Sequence, residues 1–365
     1  MKKSLAKKYY IGVMSGTSLD GVDVVVCEIN RVTCKLIHAK EYPFEKPLKD
    51  EILQTINKPQ NLQNFGELDH KLGVLYAKHI HQFLNDFHLK TEDILAIGLH
   101  GQTLWHAPDT QFPFSMQLGD PNIVVAQTGI CTVADFRRMD VANGGQGAPF
   151  APAFHQFLFH DLSKNVAVVN IGGMANITLL EKNLKGWDSG CGNVLLDSWI
   201  MQTQEKPYDE DGTFAKSGIL NEALLSALLQ DKYFAKEAPK STGREYFNAA
   251  WLKKHLASFP TLPDADVQRT LLELTATSIA NDLNKTQTQK CIICGGGAKN
   301  GFLMQRLQAL SQAKIIISDK IGVSGDFLEA MAFAWFAYKR IQKETIDLCS
   351  VTGAKKASLL GGIYG

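Results

Sequence analysis

The chain has 365 residues, 45% of them hydrophobic, with 38 basic against 37 acidic side chains for a net charge of +1. That balance leaves no electrostatic footprint for nucleic acid or an anionic membrane surface, and no apolar run reaches the roughly 20 residues that span a bilayer. The length suits two domains of ordinary size, and seven scattered cysteines, an odd count without a spacing pattern, favour a reduced, cytoplasmic compartment over a disulfide framework.

The start, MKKSLAKKYYIGVMSG, is basic and then apolar, but Ser15, Thr17, Ser18 and Asp20 break the apolar stretch, so a strand is predicted there and not a secretory signal. YYIGVM and DVVVCEI are predicted strands around a small polar turn, and CKLIHAKEYPF predicts a third. The turn runs Gly16, Thr17, Ser18, Leu19, Asp20, Gly21, Val22, Asp23. Glycines let backbone N–H groups approach an anion, and hydroxyls add donors. A carboxylate in such a turn repels phosphate unless a cation lies between them, so Asp20 or Asp23 points to a hydrated Mg²⁺. A plain hairpin whose hydroxyls cap backbone groups fits the same composition equally well.

Apolar residues at Phe65, Leu68, Leu72, Leu75, Phe83 and Phe87 predict a helix near 64 to 87. His70, His79, His81 and His88 fall on or just beyond it without the spacing of a metal-binding helix. ILAIGLHG is a strand, and the segment after it offers His100, Gln102, Thr103 and His106. NIVVAQTGICTVADF gives a helix and another strand, followed by Arg137 and Arg138 between Asp135 and Asp140. An arginine in such a loop suits bidentate pairing with a carboxylate-bearing ligand; a structural ion pair is the plainer use.

The Gly/Pro-rich VANGGQGAPFAPAF, 141 to 154, is the predicted boundary. It gives an N-terminal domain over 1–140, with a tail of about 348–365 packing on it, and a C-terminal domain over 141–347. The second half opens as the first does: NVAVVNIGGMANITLLE is strand, small turn, strand, with Gly172, Gly173 and Asn176 in or beside the turn. GWDSGCGN puts Asp188 at a predicted strand end, where α/β sheets bind ligands. There it serves as a general base or as an N-cap for the helix that follows. A long helix is predicted over about 264 to 284. Cys291 and Cys294 read as buried strand positions facing opposite sides, not as a redox or zinc pair. Gly295, Gly296 and Gly297 then offer a side-chain-free surface before a helix, suited to a base, sugar or phosphate, or simply a tight connection. Glu329 interrupts the otherwise apolar helix FLEAMAFAWFAYKRI, and PKSTGREYF has no decisive reading of its own. No Walker loop occurs. Three phosphate-sized turns in one chain nevertheless favour a nucleotide over mere capping.

Taken in order, GVMSGTSLDGVD, GLHGQT, QLGDP, VADFRRMDVANGGQGAP, NIGGMANIT, WDSGCGN, PKSTGREYFN, GGGAKN and EAMAFAW resemble the anhydro-N-acetylmuramic acid kinases of peptidoglycan recycling. The resemblance implies two RNase H-like α/β domains of the actin/sugar-kinase/Hsp70 type around an interdomain nucleotide cleft. It also implies ATP and Mg²⁺, a sugar substrate, a cytoplasmic location and a homodimer. The reaction it implies opens the 1,6-anhydro bridge with water and phosphorylates O6. It makes Asp188 the base, with Glu329 the candidate second carboxyl group and Arg137, His100 and Gln102 lining the sugar site. The turns at 16–23, 172–176 and 295–297 would hold the nucleotide. Cys191 stands where many members carry Pro. An ordinary sugar kinase of the same fold and a non-catalytic actin-like ATP-binding protein are the alternatives.

Overall fold

The computed structural model describes residues 9–16, 19–160, 165–181, 184–238, 240–244 and 246–365. Thr17 and Ser18, two of the expected phosphate-turn residues, lie outside the described residues. The chain forms two compact units, Met1–Leu158 with Phe327–Gly365, and Phe159–Asp326.

In the first unit β1 (Tyr9–Ser15), β2 (Gly21–Ile29) and β3 (Cys34–Pro43) run antiparallel in succession. β4 (Ile94–Leu99) then adds parallel to β1 on its other side. β5 (Gln102–Ala107) and β6 (Phe114–Leu118) form a separate ribbon. β7 (Thr132–Ala134) pairs parallel to β4, and the C-terminal β13 (Gly362–Tyr364) pairs antiparallel to β7. The sheet order is β13-β7-β4-β1-β2-β3.

The second unit builds the same plan. β8 (Val166–Ile171), β9 (Met174–Leu179) and β10 (Lys185–Cys191) are antiparallel, while β11 (Lys290–Cys294) and β12 (Lys314–Ile317) continue parallel from β8. Its order is β10-β9-β8-β11-β12. In each sheet the strands from first to fifth therefore stand 3-2-1-4-5, with the second antiparallel to the rest, which is the RNase H-like arrangement expected from the sequence. Alternation explains why these runs become strands. Val22, Val24 and Val26 enter the core with Leu68, Leu72 and Phe83 of the helix Leu62–Asp86. Val25, on the opposite face, is equally buried, because the helix Leu328–Ile341 covers that side.

This last helix corrects the expected domain boundaries. The sequence reading placed it in a second domain over 141–347, but it belongs to the first unit, which also keeps residues through Leu158. Two glycines explain the docking. A Cβ on Gly12 would lie 1.9 Å from the Ala330 carbonyl oxygen, and one on Gly98 would lie 2.0 Å from that of Phe333. The helix backbone thus rests directly on β1 and β4, with Tyr10 edge-on to Tyr338 at 5.5 Å. Gly98→Ala is expected to cost about 1–3 kcal/mol by overpacking, read as a lowered urea midpoint at unchanged slope.

The second core gathers Val169, Ile171, Leu195, Leu271, Leu274, Ile279 and Leu303 between the sheet and the helices Val194–Gln204, Asp264–Lys285 and Gly301–Leu310. Cys291 joins it, whereas the Cys294 thiol points to the Val169 carbonyl at 3.5 Å, so the two thiols do face opposite sides of β11. All seven cysteines are free. Among the described residues, no helix is long and apolar enough to cross a membrane.

Candidate functional site

In the first unit, the residues singled out from the sequence gather at the C-terminal ends of β1 and β4. The turn after β1 closes through the Leu19 amide on the Gly16 carbonyl at 3.3 Å. Leu19 (φ 57°) and Val22 commit their side chains to the core, so only their backbone is available to a ligand. Gly21 has no room for a side chain, since a Cβ would lie 2.9 Å from the Tyr42 carbonyl oxygen. Asp20 is exposed, with Lys49 4.0 Å away. Asp23 is half-buried and, by alternation from Val25, lies on the sheet face that the helix Leu328–Ile341 covers.

Gln102 is fully buried and donates to the Gly16 carbonyl at 3.4 Å, tying the ribbon to the turn; its Oε1 has no partner among the described residues. Arg137 Nε and Nη2 both reach His100 Nε2, at 3.2 and 2.9 Å, and Nη1 donates to the Gly147 carbonyl at 2.8 Å. A guanidinium can only donate, so His100 Nε2 is an acceptor and the imidazole is neutral. Burial, then the charge of Arg137, hold His100 well below its ordinary pKa. Burial also brings Arg137 down to about 10, against the pull of Glu329 and Asp140. Two of the five guanidinium N–H groups remain available to a ligand carboxylate.

Glu329 sits in the first turn of its helix, with Phe333 one turn on, 4.6 Å from the His100 ring. It keeps solvent access, yet the protein crowds it enough to raise its carboxyl above the ordinary value, with Arg137 pulling the other way. The NGGQGAP loop is held by Asp140, whose buried carboxylate accepts from the Gly147 amide at 2.8 Å and the Thr352 hydroxyl at 2.9 Å. Gly145 is required there, since its Cβ would lie 2.2 Å from Asp140 Oδ2.

The second unit holds Asp188. The sequence reading put it at a strand end, but β10 continues three residues beyond it, through a register shift between Asp188 and Gly190. The extra residue, Ser189, is a bulge, and bulges re-aim neighbouring side chains. Asp188 is not an N-cap: the following helix starts after Asn193, whose side chain makes no cap bond. Asp188 pairs with Asn176, and Asn176 with Asn170, so three polar side chains cross the sheet in one row. Its carboxylate Oδ2 accepts from the Thr242 amide at 2.9 Å, and its own amide donates to the Lys240 carbonyl at 2.9 Å.

The Gly172–Gly173 turn is stitched to the segment after Asp188. Asn193 donates to the Gly172 carbonyl at 2.8 Å, and Gly192 and Val194 to that of Gly173 at 2.9 and 3.1 Å. A Cβ on Gly192 would lie 2.3 Å from the Gly172 carbonyl oxygen. Cys191 is buried and pushed up to about 12 by that burial, so it is a small packing residue beside Asp188. Gly295 (φ 80°) follows β11 at a place where a Cβ would strike Asn170 Oδ1 at 2.2 Å. Gly296 and Gly297 open a short 3₁₀ turn leading to the helix Gly301–Leu310. The segment 240–244, given no role of its own from the sequence, is thus a neighbour of Asp188. Its place within PKSTGREYFN, one of the segments that carry the family resemblance, was its signal.

Among the described residues, no group of three or more His, Cys, Asp or Glu is arranged to hold a metal. Magnesium keeps several waters and takes one or two carboxylates along with substrate phosphates; Asp20, exposed in the turn after β1, presents one carboxylate to solvent.

A family model described as anhydro-N-acetylmuramic acid kinase matches residues 8–365. The chain belongs to that family. Among the relatives it resembles, the anhydro-N-acetylmuramic acid kinase of Sulfurimonas denitrificans is 54% identical over 365 residues, covering 98% of this chain and 99% of that protein. Those of Sulfurovum sp. and Pasteurella multocida are 52% and 50% identical, covering 98% of this chain in both cases and 99% and 97% of their own lengths. The segments that build the two sites fall within the matched span of the family model, so the chain is a kinase with an alcohol group as acceptor.

Proposed function

We propose that this chain opens the 1,6-anhydro bridge of 1,6-anhydro-N-acetylmuramic acid with water and phosphorylates O6 from ATP, giving N-acetylmuramic acid 6-phosphate and ADP in cell-wall recycling and amino-sugar catabolism. The family match over residues 8–365 carries the choice of substrate. Asp188, aimed by a bulge and held by the Thr242 amide, is assigned the proton of the attacking water. As the water oxygen bonds to C1, the C1–O6 bond breaks and O6 bonds to the γ-phosphorus. The bond from that phosphorus to the β-phosphate bridge breaks, and the proton on Asp188 passes to solvent.

Arg137 is assigned the lactyl carboxylate. The hydrogen bonds to His100 and Gly147 fix the guanidinium plane and leave donors free. His100 and Gln102 line the sugar site, where the unpartnered Gln102 Oε1 supports a hydroxyl or amide donor from the ligand. Glu329 is assigned to substrate orientation, from the first turn of the helix whose Phe333 lies against the His100 ring. Gly16 to Asp23, Gly172 to Asn176 and Gly295 to Gly297 are assigned to the nucleotide. Magnesium, held by Asp20 or Asp23 through water, would neutralise charge on the phosphates. The reading also takes the enzyme to be a cytoplasmic homodimer; seven free cysteines support the reducing compartment.

An ATP-coupled assay comparing the anhydro-sugar with the open-ring sugar tests this reading. Turnover of the anhydro-sugar is expected. Preference for the open-ring sugar would indicate an ordinary sugar kinase, and turnover of neither would indicate a non-catalytic protein.

A further inference from the structure

The loop that holds Asp188 also carries a cation to the glycine turn. From Thr242, whose amide binds Asp188, the chain runs through Gly243 to Arg244. The guanidinium of Arg244 lies against Gly173: a Cβ built there would be 3.5 Å from Nη2, 3.6 Å from Nε and 3.9 Å from Cζ. Gly173 therefore presents bare backbone to the guanidinium, with no side chain between them. The loop is fixed beyond Arg244 as well. Asn248 donates to the Arg244 carbonyl at 3.3 Å and caps the helix Ala249–Leu256 through the Trp251 amide at 3.0 Å. Tyr246 and Phe247 both donate to the Gly243 carbonyl at 3.1 Å.

Arg244 is exposed, and among the described residues it forms no ion pair and its side chain makes no hydrogen bond. An exposed arginine is ordinarily a solvated charge. This one is carried on a tethered loop, against a side-chain-free turn, two residues from the amide that holds Asp188. Among the described residues no carboxylate pairs with it, and its planar fork matches phosphate oxygens bidentately.

We propose that Arg244 binds the γ-phosphoryl group of ATP at the Gly172–Gly173 turn and stabilises it during transfer. The inference rests on the kinase reading given above and adds a residue to it. It makes one loop serve both halves of the reaction: Thr242 sets the base, and Arg244 neutralises the group in transit. No new bond is made or broken by Arg244, which acts by charge and hydrogen bonding.

The test compares ATP and ADP affinity by calorimetry, without sugar and with magnesium, in the wild type, Arg244→Ala and Arg244→Lys. Turnover of the anhydro-sugar is measured in parallel. Arg244→Ala is expected to weaken ATP at least tenfold while leaving ADP within twofold, and to lower kcat about 10²- to 10³-fold, the range for removing one transition-state donor. Arg244→Lys should recover part of both losses by restoring charge without the fork. An equal loss for ATP and ADP, or no loss for either, would overturn the assignment. Because the nucleotide comparison uses no sugar, a wild type inactive on the anhydro-sugar would count against the substrate reading and leave this inference to be judged on its own.

Discussion

Replacing Asp188 with Asn is expected to reduce kcat by about 10²- to 10⁴-fold, the range for loss of a general base, while ATP binding stays within a small factor of wild type. The variant isolates the chemistry. Asn keeps an oxygen for the Thr242 amide, so the bond that aims the side chain is retained, as is the Lys240 tether on the backbone. The register shift at Ser189 is a backbone feature and does not depend on charge. What Asn loses is the capacity to accept a proton. Steady-state turnover with the anhydro-sugar, alongside nucleotide titration, reads the two effects separately. Turnover near wild type would remove Asp188 as the base and leave Glu329 as the carboxyl group to test.

The second large effect concerns stability. Glu273, in the helix Asp264–Lys285, is buried and accepts from Arg269 at 2.6 Å and from Arg306 at 2.9 and 2.7 Å. Arg306 belongs to the helix Gly301–Leu310, so this carboxylate joins the two helices, the second of which follows the Gly295–Gly297 turn. Removing one partner of a buried ionic network strands the others. Glu273→Ala is expected to cost about 3–5 kcal/mol, read from the urea midpoint, with weaker nucleotide binding through the loosened turn. Burial opposes the charge on Glu273, but Arg306 and Arg269 outweigh it and hold the carboxyl below its ordinary value. The folded state thus binds the proton less readily than the unfolded chain. The stabilisation is complete above the unfolded pKa of about 4.3 and is lost as pH falls through the lower folded value. A loss under about 1 kcal/mol, as for an exposed pair, would contradict the account.

Much of the fold was legible because periodicity reports burial. The apolar run DVVVCEI and the helical spacing from Phe65 to Phe83 appear in the structure as β2 and the helix Leu62–Asp86. The repeated strand–turn–strand openings became two sheets of one topology. The domain boundary was not legible. It depends on Gly12 and Gly98 receiving the backbone of a helix more than two hundred residues away, and no local pattern records that contact. Nor does composition reveal a bulge, so Asp188 appeared to end a strand that in fact continues to Cys191.

The site was readable by segment and not by contact. His100, Gln102, Arg137 and Glu329 were each singled out, and the structure brings them to one end of the first unit's sheet. That Arg137 spends three donors on His100 and Gly147 follows from tertiary placement alone. Asp140 was given only as a flank of Arg137 and Arg138, whereas it is the buried clamp of the NGGQGAP loop. Thr242 and Arg244 lay in PKSTGREYFN, which carried the resemblance but no role of its own, because a polar loop of that composition is usually solvated.

The most direct measurement is a single turnover with ATP and the anhydro-sugar in ¹⁸O-labelled water, with the product analysed by mass spectrometry before anomeric exchange. Water attack at C1 predicts one ¹⁸O in the sugar phosphate, carried on C1, with unlabelled oxygen bridging C6 and phosphorus. A phosphorylated product without ¹⁸O at C1, or with ¹⁸O in the phosphate ester, would contradict it.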